Sequence, residues 1–126
     1  MAETSAKHLK WSEVESESLN PHINRQLIVG SNIMVARLVL KKGATVPRHS
    51  HYNEQVSCVM QGALHFHIDD QEITVHGGEV LCIPPDMPHE ALALEDTVAL
   101  DIFNPPRQDW IDKDDAYLRQ PAVVKG

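Results

Sequence analysis

The stretch HSHYNEQ, residues 49–55, decides the fold prediction because it places two histidines and a glutamine directly before the apolar run VSCVM. Side chains on a β-strand alternate between its two faces, so His49, His51 and Gln55, which share one parity, would point the same way. Imidazole and amide-oxygen ligands that converge from one face suit a divalent transition metal, and a third histidine from another strand would complete the set. Alternatively, the His-x-His pair lies on the wet face of an edge strand.

A second His-x-His pair, His65 and His67, provides an internal comparison. These histidines alternate with Leu64, Phe66 and Ile68, which have the character of core residues. Because a strand presents alternate residues to opposite faces, we predict that the two histidines lie on an outer or interface face. The prediction of a metal site therefore depends on the first pair.

The rest of the chain has the pattern of a small all-β protein. Its 126 residues are enough for one hydrophobic core, so we predict a single domain. Short apolar and β-branched segments alternate with turn signals such as KKGA, HGGE and PPDMP, which is typical of a sandwich or a small barrel. The predicted strands are residues 32–40, 55–61, 63–68, 72–75, 79–84 and 97–103.

The two ends of the chain differ from this pattern. Residues 1–20 contain the acidic run EVESES and little apolar periodicity, which predicts a flexible or loosely packed arm with Trp11 as its anchor. The domain itself is predicted at residues 21–126. Within it, only the tail segment RQDWIDKDDAYLRQ, residues 107–120, has some helical character.

Charge and composition exclude several classes of partner. The chain has 18 acidic and 11 basic residues, a net charge of -7, and no cluster of Lys and Arg, which argues against binding nucleic acid or an anionic membrane surface. No segment has the length and apolarity of a signal peptide or a membrane span, so a cytoplasmic protein is predicted. The two cysteines, Cys58 and Cys82, lie in apolar runs and are predicted to be buried reduced thiols without a catalytic role.

Glycines and prolines frame two segments that together carry a family resemblance. The segments GATVPRHSHYNEQVSCVMQG, residues 43–62, and GEVLCIPPDMPH, residues 78–89, resemble the paired signatures of the cupin superfamily. The resemblance implies an all-β, single-domain jelly-roll barrel that holds one divalent metal ion, which could be Ni, Zn, Fe, Mn or Co. The implied metal ligands are His49, His51, Gln55 and His89.

Three positions depart from the usual cupin pattern: Gln55 replaces Glu, Asp86 replaces Gly and Ala93 replaces Asn. Gln in place of Glu removes one negative charge, which should weaken metal binding and leave the metal a stronger Lewis acid. Asp86 is compatible with a turn because Asp enters left-handed backbone geometry more readily than most residues.

The last predicted strand, TVALDIF at residues 97–103, places a carboxylate among apolar residues. Val98, Leu100 and Ile102 share one face, and Asp101 and Phe103 share the other. If the Val98 face packs outward, Asp101 opens into the same cavity as the metal ligands. If the Val98 face forms the core instead, Asp101 points to solvent.

A narrower resemblance joins this strand to the histidine segment. HSHYNEQ and PHEALALEDTVALDIFNPPR, residues 88–107, are similar to the small bacterial cupins of pectin and alginate catabolism known as pectin degradation proteins. That family linearises 4,5-unsaturated uronates to open-chain keto sugars. Its functional residues fall on Asp101, Phe103 and Arg107, which the resemblance implies are an acid/base, an apolar wall and a bidentate clamp for the substrate carboxylate. Arg25 and Arg37 are reserve candidates for the clamp.

Alternatives remain at each of these positions and for the function as a whole. Arg107 could be a surface arginine and Phe103 an ordinary core residue. The protein could be an iron-dependent cupin dioxygenase, or a sugar-binding sensor without turnover. The predicted partners are a small anionic sugar and a second copy of the chain, because apolar residues occur on both faces of residues 55–61.

Overall fold

A computed structural model describes residues 5–119, which form two antiparallel β-sheets around one core. The six-stranded sheet has the order β1 (Ser16–Asn20), β2 (Ile23–Val29), β3 (Met34–Leu40), β10 (Thr97–Asn104), β5 (Glu54–Gln61) and β8 (Val80–Ile83). The four-stranded sheet has the order β4 (Thr45–His49), β9 (His89–Ala93), β6 (Ala63–Ile68) and β7 (Gln71–His76). This arrangement is the small jelly-roll barrel predicted from the sequence.

Alternating burial along the central strands determines which side chains face the core. On β10, Ala99, Asp101 and Phe103 are buried, whereas the residues between them are only half-buried. The neighbouring strand β3 alternates in the same way, with Met34 and Ala36 fully buried. The apolar face of Val98 therefore points outward, and the Asp101 side chain points into the barrel.

All six predicted strands are present, and four further strands were missed. Three of the missed strands, β1, β4 and β9, have only five residues each and include polar side chains, so none of them contains a long apolar run. The structure also corrects the predicted arm at residues 1–20. Ser16–Asn20 pairs with β2, and it escaped recognition because this edge strand buries only Leu19 and Asn20. Residues 1–4 lie outside the described part of the chain.

The C-terminal tail forms two short helices, α1 (Gln108–Ile111) and α2 (Ala116–Arg119), as its sequence suggested. Trp110 of α1 and Leu118 of α2 are buried in the core. Arg25 on β2 anchors this tail, since its guanidinium is fully buried, lies 2.7 Å from the carboxylate of Asp115 and covers the Trp110 ring at 4.6 Å. The tail therefore closes over the end of the barrel where Leu19 and Leu118 line the interior.

Two positions with positive φ explain local sequence choices. Gly62 has a φ of +93°, and a Cβ there would lie 2.4 Å from the Asp96 carbonyl oxygen, so no other residue fits without a shift of the backbone. Asp86 has a φ of 64°, which confirms the left-handed turn expected of Asp in place of Gly.

The burial predicted for the two cysteines is wrong in part. Both are free thiols on the outer face of the six-stranded sheet, where Cys58 is half-buried and Cys82 is exposed. The apolar residues next to them in sequence lie alternately on this outer face and in the core, so an apolar run did not indicate that the cysteines are buried. Within residues 5–119, no helix is long and apolar enough to cross a membrane.

Candidate metal centre

Three histidines meet where the two sheets approach each other. His49 ends β4, His51 follows two residues later, and His89 begins β9, where it is the register partner of His49. Their ring centroids are separated by 4.3 Å for His49–His89, 5.1 Å for His51–His89 and 5.4 Å for His49–His51. One nitrogen from each ring lies within 4.8 Å of the others, so the three rings can hold one metal ion.

The route by which these residues converge differs from the prediction. The strand β4 ends at His49 and β5 begins at Glu54, so His49, His51 and Gln55 do not alternate along one strand. The intervening loop crosses from the four-stranded to the six-stranded sheet and is held by Asn53, which donates from Nδ2 to the Pro105 carbonyl oxygen at 2.6 Å. The ligands therefore come from two sheets, which explains why they surround a point inside the barrel.

Backbone hydrogen bonds orient all three imidazoles in the same manner. The Nδ1 atoms of His49, His51 and His89 lie 2.8, 3.0 and 2.8 Å from the carbonyl oxygens of Pro47, Asn53 and Met87, respectively. A neutral imidazole has one N–H, and its donation from Nδ1 to a carbonyl leaves a lone pair on Nε2. The Nε2 atom of His89 is buried and has no hydrogen-bond partner within the described residues. This tautomer is the one expected of metal ligands with ordered outer partners.

Gln55 supplies a fourth donor atom. Its Nε2 donates to Ser57 Oγ at 2.9 Å, which fixes the amide so that Oε1 faces His51 Nε2 at 3.1 Å. When His51 donates from Nδ1, the lone pair on its Nε2 faces a lone pair on Gln55 Oε1, and the two repel each other. A cation between these two atoms would be coordinated by both and would remove the repulsion. Three imidazole nitrogens and one amide oxygen fit a divalent transition metal, so the donor set agrees with the ligands implied by the sequence resemblance.

The environment keeps the three histidines neutral. Burial is the largest cause and lowers the pKa of His49 and that of His51 to about 4, and the positive charge of Arg107 acts in the same direction. Burial also lowers the pKa of His89. Neutral imidazole is the form that coordinates metal, so no proton has to leave these rings near neutral pH when an ion binds.

Asp101 opens into the same space as these ligands, which decides between the two orientations predicted for it. The residue is 8% exposed and lines an inner cavity of about 50 Å³ together with His49, Gln55, His89, Phe103 and Arg107. Burial raises the pKa of the Asp101 carboxyl from 3.8 to about 6, although a hydrogen bond with Ser57 and the charge of Arg107 oppose the rise. A carboxyl with such a pKa can both accept and donate a proton near neutral pH.

Phe103 and Arg107 occupy the same end of the barrel. Phe103 is 1% exposed and packs its ring against those of Trp110 and His51 at 5.0 and 5.7 Å, so it is both a core residue and a cavity wall. Arg107 is also buried, and its guanidinium stacks 4.5 Å from the Trp110 ring. Neither Arg25 nor Arg37, the reserve candidates, is among the residues that line the inner cavity.

The guanidinium fork of Arg107 already contacts other side chains of the protein, and its role as a clamp for a substrate carboxylate stays a prediction. Its Nε and Nη2 donate to Asp109 Oδ1 and Oδ2 at 3.0 and 2.9 Å, and Nη2 also donates to Tyr117 Oη at 2.9 Å. The remaining atom, Nη1, is buried without a hydrogen-bond partner in the described part of the chain. Nη1 is therefore the nitrogen of the Arg107 guanidinium that keeps its hydrogen-bonding capacity free of partners among residues 5–119.

An open vestibule of about 460 Å³ lies outside the inner cavity, and Asp109 and Tyr117 are among the lining residues that sequence reasoning did not single out. The vestibule is also lined by His49, His51 and Arg107, so it reaches the candidate metal ligands from the solvent side. The Tyr117 ring lies 5.1 Å from that of His49. The only sequence signal for Tyr117 was an aromatic residue in a tail that mixes polar and apolar residues, which does not indicate where the tail packs.

Comparisons with known proteins agree with this geometry. A cupin-domain family model matches residues 36–103. No curated protein sequence matches the chain. Among solved structures, KdgF from a Halomonas species is 25% identical with a TM-score of 0.79 over 84% of this chain and 99% of its own. An RmlC-like cupin from Shewanella frigidimarina is 26% identical with a TM-score of 0.78 over 84% of this chain and 96% of its own.

A more distant structural likeness concerns the fold alone. Oxalate decarboxylase from Bacillus subtilis, which has Mn(II) centres, is 18% identical with a TM-score of 0.72. The match covers 82% of this chain and 31% of the decarboxylase. The same barrel therefore occurs in proteins of different size and chemistry, and the side chains of the site must decide the function.

Proposed function

The chain belongs to the cupin family, and we propose that it is a metal-dependent enzyme that linearises 4,5-unsaturated uronate monosaccharides, from pectin or alginate breakdown, to open-chain keto sugars. The observation that carries the proposal is that Asp101, a buried carboxyl with a pKa near neutral, lines one cavity with the His49 and His89 ligands. The likeness to KdgF and the sequence similarity to pectin degradation proteins support the choice of substrate.

The reaction is an isomerisation that moves one proton. Removing the proton from the anomeric hydroxyl forms a carbonyl at C1 and breaks the bond between C1 and the ring oxygen. That oxygen leaves as the enolate oxygen on C5, and a proton then added at C4 gives a ketone at C5. No oxidant or reductant is needed, and a single acid/base can carry the proton from O1 to C4.

Asp101 is the group in the cavity that suits this proton transfer. Its ionised form accepts the proton of the anomeric hydroxyl, and its protonated form delivers a proton to C4, which its pKa of about 6 allows in both directions near neutral pH. A divalent ion held by His49, His51, Gln55 and His89 would stabilise the negative charge on the enol oxygen. Phe103 forms an apolar wall beside Asp101, and Arg107 attracts the anionic sugar.

The size of the two cavities indicates where the sugar lies. An inner cavity of about 50 Å³ has room for a few water molecules, whereas the vestibule of about 460 Å³ can contain a monosaccharide. We therefore place the sugar ring in the vestibule, with its reacting edge directed past the histidines toward Asp101. Binding at the mouth of the inner cavity would displace its water, which strengthens the electrostatic interactions at the reacting atoms.

The test is the loss of the enol-ether absorbance of an unsaturated uronate when metal-loaded protein is added. We expect the loss to be faster than the spontaneous reaction, and to return to the spontaneous rate with Asp101→Asn at an unchanged metal content. The matched control is Asp70→Asn, because Asp70 is an exposed aspartate in the turn before β7. An Asp101→Asn protein as active as the wild type would overturn the proposal.

Two other functions predict different results in the same preparation. An iron-dependent dioxygenase would consume oxygen with its substrate and would lose activity anaerobically or with a redox-inert metal such as zinc. A sugar-binding sensor would bind the uronate without any absorbance change, and its binding would survive Asp101→Ala. The buried acid/base beside the ligands favours the isomerase, because a sensor gains nothing from a proton carrier with a near-neutral pKa.

We also propose that the protein acts as a homodimer through the outer face of the six-stranded sheet. This face exposes Met60 and Val80 by 57% and 58%, and half-buried Val98, Leu100 and Ile102 continue it. A largely uncharged β-sheet surface suits a second copy of the same surface better than a charged partner. Light scattering at micromolar concentration should give the mass of a dimer, and a monomer would contradict the proposal.

A further inference from the structure

Tyr117 on α2 presents a hydrogen-bond donor to the vestibule. We propose that Tyr117 is a substrate-binding residue that, together with Nη1 of Arg107, holds the carboxylate of the uronate. The substrate class, an anionic sugar acid, is taken from the proposed function. The choice of residues is argued from the hydrogen bonds around the Tyr117 hydroxyl.

Two neighbouring groups occupy the acceptor capacity of the Tyr117 hydroxyl. Its oxygen accepts hydrogen bonds from Arg107 Nη2 at 2.9 Å and from Trp110 Nε1 at 3.2 Å. Arg and Trp nitrogens can only donate, so neither can receive the phenolic proton. The Tyr117 O–H must therefore point away from both, and the side chain borders the vestibule, where a ligand oxygen can accept it.

Arg107 by itself offers an incomplete carboxylate site. Its Nε and Nη2 hydrogens are engaged by Asp109 and Tyr117, and Nη1 is left buried without a partner among the described residues. A carboxylate has two oxygens, and one can accept from Nη1 while the other accepts from the Tyr117 hydroxyl. The two donors are adjacent because Tyr117 Oη is already bonded to the same guanidinium group.

The position of Tyr117 is fixed by the contacts of its neighbours in sequence. Asp115, two residues before it, is fully buried and ion-paired with Arg25 at 2.7 Å. Leu118, which follows it, is buried, and its carbonyl accepts a hydrogen bond from Asn20 Nδ2 at 2.7 Å. A donor held in this way loses little conformational freedom when a ligand binds. The buried ion pair between Arg25 and Asp115 thus holds α2 where Tyr117 lines the vestibule.

The test is a calorimetric binding measurement with a saturated uronate, galacturonate, which cannot undergo the reaction, and with its uncharged methyl ester. We expect Tyr117→Phe to weaken galacturonate binding by about 10-fold or more, since a hydrogen bond to a charged group contributes this much, and to change ester binding by less than about 3-fold. The metal content of the variant should equal that of the wild type, whereas its melting temperature should fall because Arg107 Nη2 and Trp110 Nε1 lose their acceptor.

The control variant is Ser12→Ala, which also removes one side-chain hydroxyl. Ser12 is exposed and is not among the residues that line the vestibule or the inner cavity, so its loss should leave the affinity for galacturonate unchanged. Equal affinity of wild type and Tyr117→Phe for galacturonate would overturn the inference, as would equal losses for acid and ester, or no binding of galacturonate to the wild type.

Turnover measurements separate this inference from the proposed function. With an unsaturated uronate, Tyr117→Phe should raise KM about as much as it weakens galacturonate binding, with a smaller change in kcat. Selective loss of galacturonate binding without any turnover in the wild type would refute the proposed function and retain the role of Tyr117. Normal KM in an active Tyr117→Phe protein would refute that role and retain the function.

Discussion

Replacing Asp101 with Asn should stabilise the metal-free protein at neutral pH and not in acid. Burial raises the pKa of this carboxyl from 3.8 to about 6, so the folded state binds its proton more tightly than the unfolded state does. The contribution of Asp101 to the free energy of unfolding is therefore fully present below pH 3.8, where the carboxyl is protonated in both states. It falls as the pH rises toward 6 and stays reduced at higher pH. At about 1.4 kcal/mol per pKa unit, ionised Asp101 costs the fold about 3 kcal/mol at neutral pH.

Urea unfolding of chelator-treated protein at several pH values measures this cost directly. The difference in unfolding free energy between Asp101→Asn and the wild type should rise from near zero at about pH 4 to about 3 kcal/mol at about pH 7.5. Because both proteins share every other titrating group, the difference isolates Asp101. The exposed Asp70→Asn control should show a flat difference close to zero.

A difference that does not change with pH, or a less stable variant at neutral pH, would refute the reasoning. Either result would mean that Asp101 is ionised at little cost, with a pKa near its ordinary 3.8. An acid of that strength would be a poor proton donor near neutral pH, so the proposed proton transfer to C4 would lose its physical basis.

Three further predictions concern the site and its frame. His89→Ala should lower the metal content measured by mass spectrometry well below one ion per chain, whereas His65→Ala on the outer face should leave it unchanged. Full metal occupancy in His89→Ala would show that His89 is not a ligand. Asp115→Asn should destabilise the protein by about 3 kcal/mol in urea, because its buried arginine partner keeps its charge; a change under about 1 kcal/mol would contradict this. Gly62→Ala should cost at least about 2 kcal/mol more than Gly43→Ala, which has the same backbone strain and open space around it; equal costs would refute the steric argument.

Residue pattern and turn chemistry were sufficient to predict six of the ten strands in the described part of the chain. The central strands β3, β5, β6 and β10 were found because their apolar residues recur with the periods of buried strands. The edge strand β1 was missed because it pairs through its backbone, and only Leu19 and Asn20 of its side chains are buried. Backbone pairing of a polar segment leaves no signal in composition.

The structure brings the predicted histidine ligands together by a different route from the one assumed, and metal binding by these residues stays a prediction. The sequence resemblance named His49, His51, Gln55 and His89, and the structure brings the three histidines together with Gln55 beside His51. Strand parity was the wrong reason, because residues 50–53 form a loop between the two sheets. A side-chain period describes one continuous strand and does not extend across a loop.

The surroundings of Arg107 depended on contacts that sequence could not supply. Asp109 is only two residues away, yet a pair at that spacing faces together only when the backbone turns as it does at the start of α1. Tyr117 reaches Arg107 because the buried Arg25–Asp115 pair brings α2 back over the barrel. These contacts join distant parts of the chain and arise from the tertiary fold.

The most direct test of the central claim is proton NMR of an unsaturated uronate in D₂O with metal-loaded protein. We expect the C4 vinyl signal to disappear faster than in buffer alone and the open-chain product to contain one solvent deuteron at C4. Asp101→Asn with the same metal content should leave the vinyl signal at its spontaneous rate. An unchanged substrate with the wild type, or equal rates with the variant, would contradict ring opening by Asp101 at this site.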